Sequence, residues 1–288
     1  MSQIMFISEL YQFLRFVCVY YATTLGFCAI MSYFVIGIIM LLRKEVFRNC
    51  VFGKAALWSL MILVLFCGKL HVYFENKIGV RFFLWWYTLC SKWNIVSLVY
   101  ILIGIAIAFY FVRRRCRLYN ILSELEEYGK VNSKFKIKKF SGEVTSFCTG
   151  CIKPIIAIPE GIDKEETEII LRHEETHIML GHLWIQLFWE IMIVLFWINP
   201  FLYISEKYLL RDLEDICDAV TIQRNGINEL HYADILLENA KRMNCSGGMS
   251  FSPGDNYQAL KKRIENITEY KSLLILKLLQ VLSFGIRF

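Results

Sequence analysis

The sequence predicts an α-helical, multi-pass membrane protein with an α+β domain on the cytoplasmic side of the membrane. Three long segments with few or no charges predict the membrane spans, basic residues at their ends predict the orientation, and a more polar second half predicts the domain. Hydrophobic residues make up 56% of the 288 residues, whereas soluble globular chains contain about 45–50%. A wholly soluble protein is therefore excluded.

The three predicted spans cover residues 16–42, 55–74 and 94–112, and a helix needs about 20 residues to cross a bilayer. Lys69 and His71 lie near the far end of the second segment, where a lysine can extend to the lipid headgroups. The first segment is too long for the core of a signal peptide and lacks its basic leader, so we expect it in the mature protein.

Basic residues set the predicted orientation, because the cytoplasmic flanks of membrane spans are rich in lysine and arginine. One basic cluster lies between the first and second segments and another directly follows the third, which predicts an N-terminus on the outside. Their residues are Arg43, Lys44, Arg48, Lys54, Arg113, Arg114, Arg115 and Arg117. An aromatic run at residues 82–87 predicts an interfacial belt in the outer loop. This orientation accounts for the net charge of +6, and we predict no direct nucleic-acid binding.

Local patterns in the polar half predict two helices and two strands. Residues 118–130 predict a helix, the alternation of lysines with apolar residues over 134–138 predicts a half-buried strand, and residues 154–159 predict another. A nucleic-acid patch is the alternative interpretation of those lysines, but a solvated strand face is commoner. Asp163, with an acidic first turn after it, predicts the N-cap of the second helix.

Residues 173–177 form the motif His-Glu-Glu-Thr-His on that second helix. Residues four apart share a helix face, so His173 and His177 can bind one metal ion. Glu174 can reach a water molecule bound to that ion and act as the general base. A solvated polar helix face is the alternative interpretation, but the motif is typical of zinc peptidases.

A catalytic zinc takes three protein ligands and leaves one position open. Glu214 and Asp218 lie four apart on one face of a downstream helix, and the residues alone leave open which of them completes the site. Without the upstream motif, such an acidic pair would be assigned to the surface.

The apolar segment at residues 183–204 is long enough to cross a membrane. A full crossing would place Glu214 and His177 on opposite sides, where one metal ion could not bind both. Gly181 and Pro200 therefore predict a membrane-associated helical hairpin instead.

The ten cysteines are scattered, mostly through apolar segments, which is typical of small hydrophobic residues in a reducing setting. Cys148 and Cys151 form one close pair, for which a redox or metal role is a further hypothesis. The strand-to-helix context of a thioredoxin motif is missing. We expect His182 and Cys217 to be packing residues or to support the ligands.

The order of these features resembles the BlaR/MecR-type membrane metallopeptidases, which are antibiotic-sensing gluzincins of Gram-positive bacteria. The resemblance depends on the three spans and on Phe147, Lys153-Pro154, Leu171-Arg172-His173-Glu174, Trp197-Ile198-Asn199-Pro200-Phe201, and Glu214 through Asp218 with Cys217. It implies a zincin-like metalloprotease domain that binds one Zn²⁺ per chain.

The resemblance implies His173, His177 and Glu214 as the zinc ligands. It implies that Asp218 is either a further ligand or a group that holds a ligand in place. His231 and Tyr232 are open candidates for the residue that stabilises the oxyanion, without a positional argument for either.

The resemblance also implies self-cleavage at a Ser-Phe bond, for which Ser250–Phe251 is the candidate. A loop whose phenylalanine packs on the domain is the alternative. The best known members continue past a fourth span into an extracellular penicillin-binding sensor, whereas this sequence stops at Phe288, so sensing by that route is not implied. We expect three spans in residues 1–112, a cytoplasmic metalloprotease domain in 113–270 and a short or truncated fourth span in 271–288.

We therefore expect a zinc metalloendopeptidase of the bacterial cell membrane that acts in signal transduction, with its active site on the cytoplasmic side. By resemblance, its substrates are the chain itself and a winged-helix repressor of the BlaI/MecI type; membrane lipid is a further partner, and a homodimer stays open. An edge strand within residues 134–159 could hold an extended substrate by strand addition. The alternative is a non-proteolytic membrane sensor or scaffold that retains the fold, against which the intact Glu174 is evidence.

Two other classes of membrane metalloprotease fit less well. Site-two-type proteases use an aspartate after an Asn-Pro-Asp-Gly-like sequence, but Phe201 and Leu202 follow Asn199-Pro200 here. Proteases resembling the CAAX-processing enzymes place the third ligand considerably further downstream than Glu214.

Overall fold

The computed structural model describes residues 2–48, 50–67, 77–92, 94–128, 134–141, 146–244 and 253–268. Within them the chain is mostly helical and divides into two compact units. The first unit takes the residues up to Glu124 together with His182–Leu213, and the second takes Leu125–Gly181 and the residues from Glu214 onward. The first unit thus extends beyond residue 112 and includes the region of the predicted hairpin, which the sequence pattern grouped with the peptidase domain.

The described elements follow one another in this order: α1 (Ser2–Glu45), α2 (Val51–Leu57), a 3-10 turn (Trp58–Leu60), α3 (Met61–Cys67), α4 (Lys77–Lys92), α5 (Asn94–Glu124), β1 (Lys136–Phe140), β2 (Phe147–Thr149), β3 (Ile155–Pro159), α6 (Lys164–Met179), α7 (His182–Leu195), α8 (Pro200–Asn225), α9 (Glu229–Asn244) and α10 (Pro253–Thr268). Helix α8 is continuous and belongs to the first unit up to Leu213 and to the second from Glu214.

Helices α1 and α5 are long and apolar enough to cross a membrane, and they contain the first and third predicted spans. Helices α2 and α3, with the turn between them, cover the second predicted span as far as Cys67 and form an apolar stretch shorter than a span. Its remaining residues, 68–74, lie outside the described residues, as does the predicted fourth span at 271–288. Apolar side chains of α5 such as Leu102 and Phe109 are more than half exposed, which suits a surface in contact with lipid.

The first half of the chain differs from the expectations at two places. The segment with the aromatic run is helical, as α4; within the run Trp86 is buried and donates its indole N–H to the Ala22 carbonyl at 3.1 Å, whereas Trp85 and Tyr87 are exposed, and the interfacial belt stays a prediction. The separate helix predicted at residues 118–130 is absent, because α5 continues without a break to Glu124 and ends there. The arginine-rich segment after the apolar stretch is a good helix former, so nothing local stops α5.

The breaks around α7 occur at the predicted residues. Gly181 has a φ of +72°, a left-handed conformation that ends helices and that glycine adopts without strain. Pro200 is the first residue of α8, where a proline loses no helical hydrogen bond. The buried Asn199 accepts from the Phe201 amide at 2.9 Å and donates to the Ser32 hydroxyl at 2.6 Å, so it caps α8 and connects it to α1.

A buried carboxylate lies within the first unit. Asp212 of α8 is fully buried and accepts paired hydrogen bonds from the Arg43 guanidinium, the shorter two at 2.6 and 2.9 Å. The indole N–H of Trp58 donates to the same carboxylate at 2.9 Å. Trp58 also stacks edge-on against Trp189 of α7, so this polar cluster is enclosed by the apolar core of the unit.

A three-stranded sheet with the order β1-β3-β2 lies in the second unit. Central β3 pairs in parallel with β1 and antiparallel with β2, and its residues Ile155–Ile158 are all buried. Leu171 of α6 packs against Ile156 and Ile158, which fixes α6 on one face of the sheet. Ile267 of α10 and Tyr232 of α9 pack in a second apolar cluster against α6 and α8.

The strands differ from the predicted ones in detail. Strand β1 begins two residues later than expected, and β2 is a strand that the sequence pattern missed. The expectation of a solvated lysine face is wrong for Lys138, which is buried and donates its ammonium to the Leu125 carbonyl at 2.8 Å. A backbone bridge between Glu127 and Lys138 covers this side of β1, which explains the burial.

Candidate metal centre

Helix α6 carries the HExxH motif and begins directly after Asp163. Asp163 occupies the N-cap position, as predicted, but its side chain makes no capping hydrogen bond to the helix. Its carbonyl accepts hydrogen bonds from the amide and the hydroxyl of Thr167 at 2.8 and 2.7 Å. Because Leu171 faces the sheet, the helical period turns His173 and His177 toward α8.

The imidazoles of His173 and His177 lie next to the carboxylate of Glu214. The Nε2 atoms of the two histidines are 3.1 Å apart. Glu214 places Oε2 at 3.4 Å from Nε2 of His173 and Oε1 at 3.3 Å from Nε2 of His177. The structure therefore brings together the two motif histidines and one of the two downstream carboxylates considered on the sequence.

The spacing of these three groups fits a small tetrahedral metal ion. Metal–nitrogen and metal–oxygen bonds of about 2.0–2.1 Å around zinc place neighbouring ligand atoms about 3.3–3.4 Å apart. The Nε2–Nε2 distance of 3.1 Å, and the 3.3–3.4 Å from each Nε2 to its own nearest Glu214 oxygen, are close to that spacing. The chemistry of the set, two imidazoles and one carboxylate, is also that of catalytic zinc.

Asp218 lies on the opposite side of the His173 ring. Its Oδ1 is 3.3 Å from Nδ1 of His173, and the Tyr232 hydroxyl lies 2.8 Å from both of these atoms. The Tyr232 hydroxyl donates to Asp218 and accepts from Nδ1–H, so the tautomer that fits these contacts carries its proton on Nδ1. Nε2 of His173 then keeps its lone pair free for a metal ion.

Arg263 of α10 contacts both carboxylates of α8. Its guanidinium donates to Asp218 through Nε at 2.8 Å and through Nη2 at 2.7 Å, and Nη2 is also 3.3 Å from Oε2 of Glu214. The Asp218 side chain is only 1% exposed. This fork of two parallel hydrogen bonds is the arrangement in which arginine holds a carboxylate most strongly.

Glu174 is buried, and its Oε1 accepts a hydrogen bond from the Ser146 hydroxyl at 2.9 Å. Ser146 immediately precedes β2. A carboxylate oriented in this way beside a metal site is suited to accept a proton from a water molecule.

Cys217 also lies near the histidines. Its Sγ is within 4.8 Å of one ring nitrogen of each of His173 and His177, and its thiol donates to the His173 carbonyl at 3.2 Å. Burial raises the pKa of Cys217 to about 11, which keeps the thiol protonated at neutral pH. The thiol donates to a backbone carbonyl, whereas each Glu214 oxygen faces an Nε2 atom at 3.3–3.4 Å, so the geometry favours Glu214 over Cys217 as the third donor.

The charges of the centre are strongly coupled. Burial lowers the pKa of His177, but the neighbouring Glu214 carboxylate outweighs it and raises that pKa to about 10 in the metal-free protein. Burial raises the pKa of Glu214, but Arg263 and His177 outweigh it and hold that pKa well below its usual range. The charges of His177, Glu214 and Arg263 therefore stabilise one another.

Several other candidate residues lie elsewhere or outside the described residues. His231 is half-buried and pairs with Glu165 at 3.1 Å. The Tyr232 hydroxyl contacts Nδ1 of His173 and Asp218, so neither residue faces the proposed donor atoms. Burial and the Glu174 carboxylate raise the pKa of the Cys148 thiol, which disfavours a redox role. Ser250–Phe251 lies outside the described residues.

Sequence reasoning missed two contributors and left a third without a role. Ser146 is an isolated serine, and no pattern marked it. Arg263 lies in a basic run with Lys261 and Lys262, in which only the fold shows which cation faces inward. Tyr232 was a candidate without a position, and the structure places it behind His173.

The BlaR1 peptidase M56 family model matches residues 83–267, which is more than half of the chain and includes every residue of this centre. This chain is 29% identical over 94 residues to methicillin resistance mecR1 proteins from Staphylococcus aureus, including strain Mu50 / ATCC 700699, and from Staphylococcus epidermidis. These alignments cover 31% of this chain and 16% of the relatives, so the matched part spans about a sixth of those proteins. The resemblance to the BlaR/MecR type is thereby confirmed.

Proposed function

Because the chain belongs to the BlaR1 peptidase M56 family, we propose that it is a membrane-bound zinc endopeptidase in bacterial signal transduction. One zinc per chain is held by Nε2 of His173, Nε2 of His177 and the carboxylate of Glu214. The observation that carries this proposal is the approach of three donor groups: the two Nε2 atoms are 3.1 Å apart, and each lies 3.3–3.4 Å from a different oxygen of Glu214, separations that suit tetrahedral coordination.

In this proposal Glu174 is the general base. Zinc, when bound, polarises the peptide carbonyl and activates a water molecule. Glu174 accepts the proton of the attacking water and later passes it to the leaving amine. The Ser146 hydroxyl donates to Oε1 of Glu174 at 2.9 Å and so fixes the orientation of the base. Burial excludes bulk water around this carboxylate and so strengthens its interactions.

Asp218 acts in this proposal as a group that holds a ligand. Its contact with Nδ1 of His173, shared with the Tyr232 hydroxyl, sets the tautomer and the direction of the ring. Such partners behind a metal-binding histidine raise its basicity and its affinity for the metal.

The remaining assignments depend on the sequence pattern and on the family. We place the centre on the cytoplasmic side of a multi-pass protein of the bacterial cell membrane, because the basic clusters flank the predicted spans. We keep residues 113–270 as the peptidase region with a membrane-associated hairpin at 183–204, and assign its catalytic part to the second unit, Leu125–Gly181 and the residues from Glu214 onward. The substrates are the chain itself, with Ser250–Phe251 as the scissile bond, and a repressor of the BlaI/MecI type. Strand β2 lies at an edge of the sheet and directly follows Ser146, so we propose that an extended substrate pairs there.

Zinc content per purified chain tests the ligand set. The parent should retain one zinc after dialysis, and His177→Ala and Glu214→Ala should each lose it. His231→Ala and Glu229→Ala are matched controls, because both residues are exposed or only half-buried and lie outside the centre. A parent without zinc, or a Glu214→Ala protein that keeps it fully, would contradict the proposed site.

Cleavage separates the peptidase from a non-proteolytic scaffold. Glu174→Gln should retain zinc and membrane insertion but lose repressor cleavage and self-cleavage in cells, with a loss of about 10²–10⁴-fold in rate. Continued cleavage by this variant would exclude Glu174 as the base. A parent that binds zinc and cleaves neither substrate would favour the scaffold.

A further inference from the structure

Arg263 binds the metal centre from a helix that supplies none of the proposed ligands. It donates two hydrogen bonds to Asp218 and approaches Glu214 at 3.3 Å. We propose that Arg263 is a positioning residue: its guanidinium holds Glu214 and Asp218 in the arrangement that binds zinc, and thereby makes zinc affinity depend on the docking of α10. This inference is based on the ligand set of the proposed function.

The need for a cation follows from the two carboxylates. Glu214 and Asp218 are one helical turn apart on α8, where like charges repel each other. Asp218 is almost completely buried, and a buried carboxylate requires a charged or hydrogen-bonding partner. A planar guanidinium can bind one carboxylate through two N–H groups and still contact the other, whereas an ammonium group lacks this fork.

Helix α10 is held against its neighbours by more than this arginine. Asn266 donates to Asp215 of α8 at 3.0 Å, and Ile267 is 1% exposed in the apolar cluster with Tyr232. Residues 263, 266 and 267 share one helix face. The packing of this face of α10 against its neighbours therefore also places the Arg263 guanidinium at the centre.

The neighbouring lysines provide the contrast. Lys261 and Lys262 belong to the same basic run but are exposed, and Lys261 pairs on the surface with Glu265 at 3.8 Å. Within the described part of α10, Arg263 is thus the basic residue of the run that reaches the centre. A general effect of positive charge on α10 would be shared by all three residues.

The test compares zinc affinity, by competition with a chelator, in the full chain purified in detergent. Arg263→Gln should bind zinc about 10–100-fold more weakly than the parent, and Lys262→Gln should equal the parent. Arg263→Lys should fall between them. Cobalt(II) bound in place of zinc should show a changed absorption spectrum only in the Arg263 variants, because a misplaced Glu214 changes the coordination. Unchanged affinity and spectrum in Arg263→Gln would overturn the inference.

Further arms separate folding from positioning. Asn266→Ala loosens α10 without touching Arg263, and its zinc affinity should fall by roughly threefold to tenfold; an unchanged value would remove the link to docking. If Arg263→Gln does not fold, Arg263→Lys decides, and parent-like affinity there would overturn the inference. A parent that binds no zinc would instead overturn the proposed function itself.

Discussion

Two of the three buried aspartates of helix α8, Asp212 and Asp218, are stabilised in similar ways but lie in different surroundings. Asp212 lies in the first unit and accepts hydrogen bonds from the guanidinium of Arg43 and the indole of Trp58. Arg43 neutralises the charge of the carboxylate, both residues donate hydrogen bonds to it, and the surrounding side chains are apolar. Burying a carboxylate in apolar surroundings costs free energy unless an opposite charge compensates it, and Arg43 provides that charge for Asp212.

Asp218 lies six residues further along α8, in the second unit, and is held by an arginine and an aromatic hydroxyl. Its partners are Arg263 and Tyr232. The difference is the third contact: Asp218 also faces Nδ1 of His173, whereas Asp212 has no histidine among its described hydrogen-bond partners. A buried carboxylate paired with arginine therefore does not by itself mark a functional site. The contact with a histidine of the HExxH motif is what distinguishes Asp218 from Asp212.

The largest expected effect tests the structural member of the pair. Asp212→Ala should lower the free energy of unfolding by about 3–5 kcal/mol, because it leaves Arg43 partly buried without its partner. Thermal and denaturant unfolding in detergent measure this change, with Lys207→Ala, an exposed residue of α8, as the control. Zinc content of the folded fraction should not change, and a loss of zinc there would assign Asp212 to the centre.

Asp218→Asn tests the functional member. Zinc affinity should fall about 10–100-fold, because an amide weakens both the hold on the Nδ1 side of His173 and the paired bonds from Arg263. The matched control is Asp212→Asn, whose affinity for zinc should equal that of the parent. Equal losses of zinc affinity in the two variants would contradict the proposal that Asp218, and not Asp212, supports zinc binding.

Acid should weaken zinc binding through the centre. The metal-free pKa of His177, about 10, lies above its ordinary value of 6.5, so protons compete with zinc up to that pH. Affinity should rise by at most about tenfold per pH unit for each proton displaced. In the metal-free protein the His177–Glu214 pair stabilises the fold fully between about pH 4.5 and 6.5, the ordinary pKa values of the two groups, and this contribution is lost as the pH rises toward 10 or falls toward the lowered pKa of Glu214. A chelator titration at several pH values checks the sign, and zinc affinity that falls with rising pH would contradict it.

The smallest expected effect belongs to the aromatic partners. Tyr232→Phe removes one hydroxyl and leaves the ring in its apolar cluster, so zinc affinity should fall by about 0.5–1.5 kcal/mol, the value of one hydrogen bond. Trp58→Phe should leave zinc affinity unchanged and affect only stability. Zinc competition on both variants measures the difference, and a fully retained affinity in Tyr232→Phe would show that Asp218 alone orients His173.

Local sequence determined the parts of this protein that depend on spacing along one helix. The four-residue separation of His173 and His177 places them on one face of any helix, and the apolar segments of α1 and α5 follow from length and composition. Gly181 and Pro200 end and start helices through their own backbone preferences. These features need no knowledge of the rest of the chain, because each is a property of a few consecutive residues.

Only the tertiary structure decided how distant residues divide their roles. Glu214 and Asp218 are equivalent in sequence, and the packing of α8 against α6 turned one toward Nε2 and the other toward Nδ1 of His173. Arg263 became part of the centre, while Lys262 stayed in solvent, because α10 docks by one face. Such choices depend on contacts between elements far apart in the chain, and a pattern of consecutive residues carries no information about them.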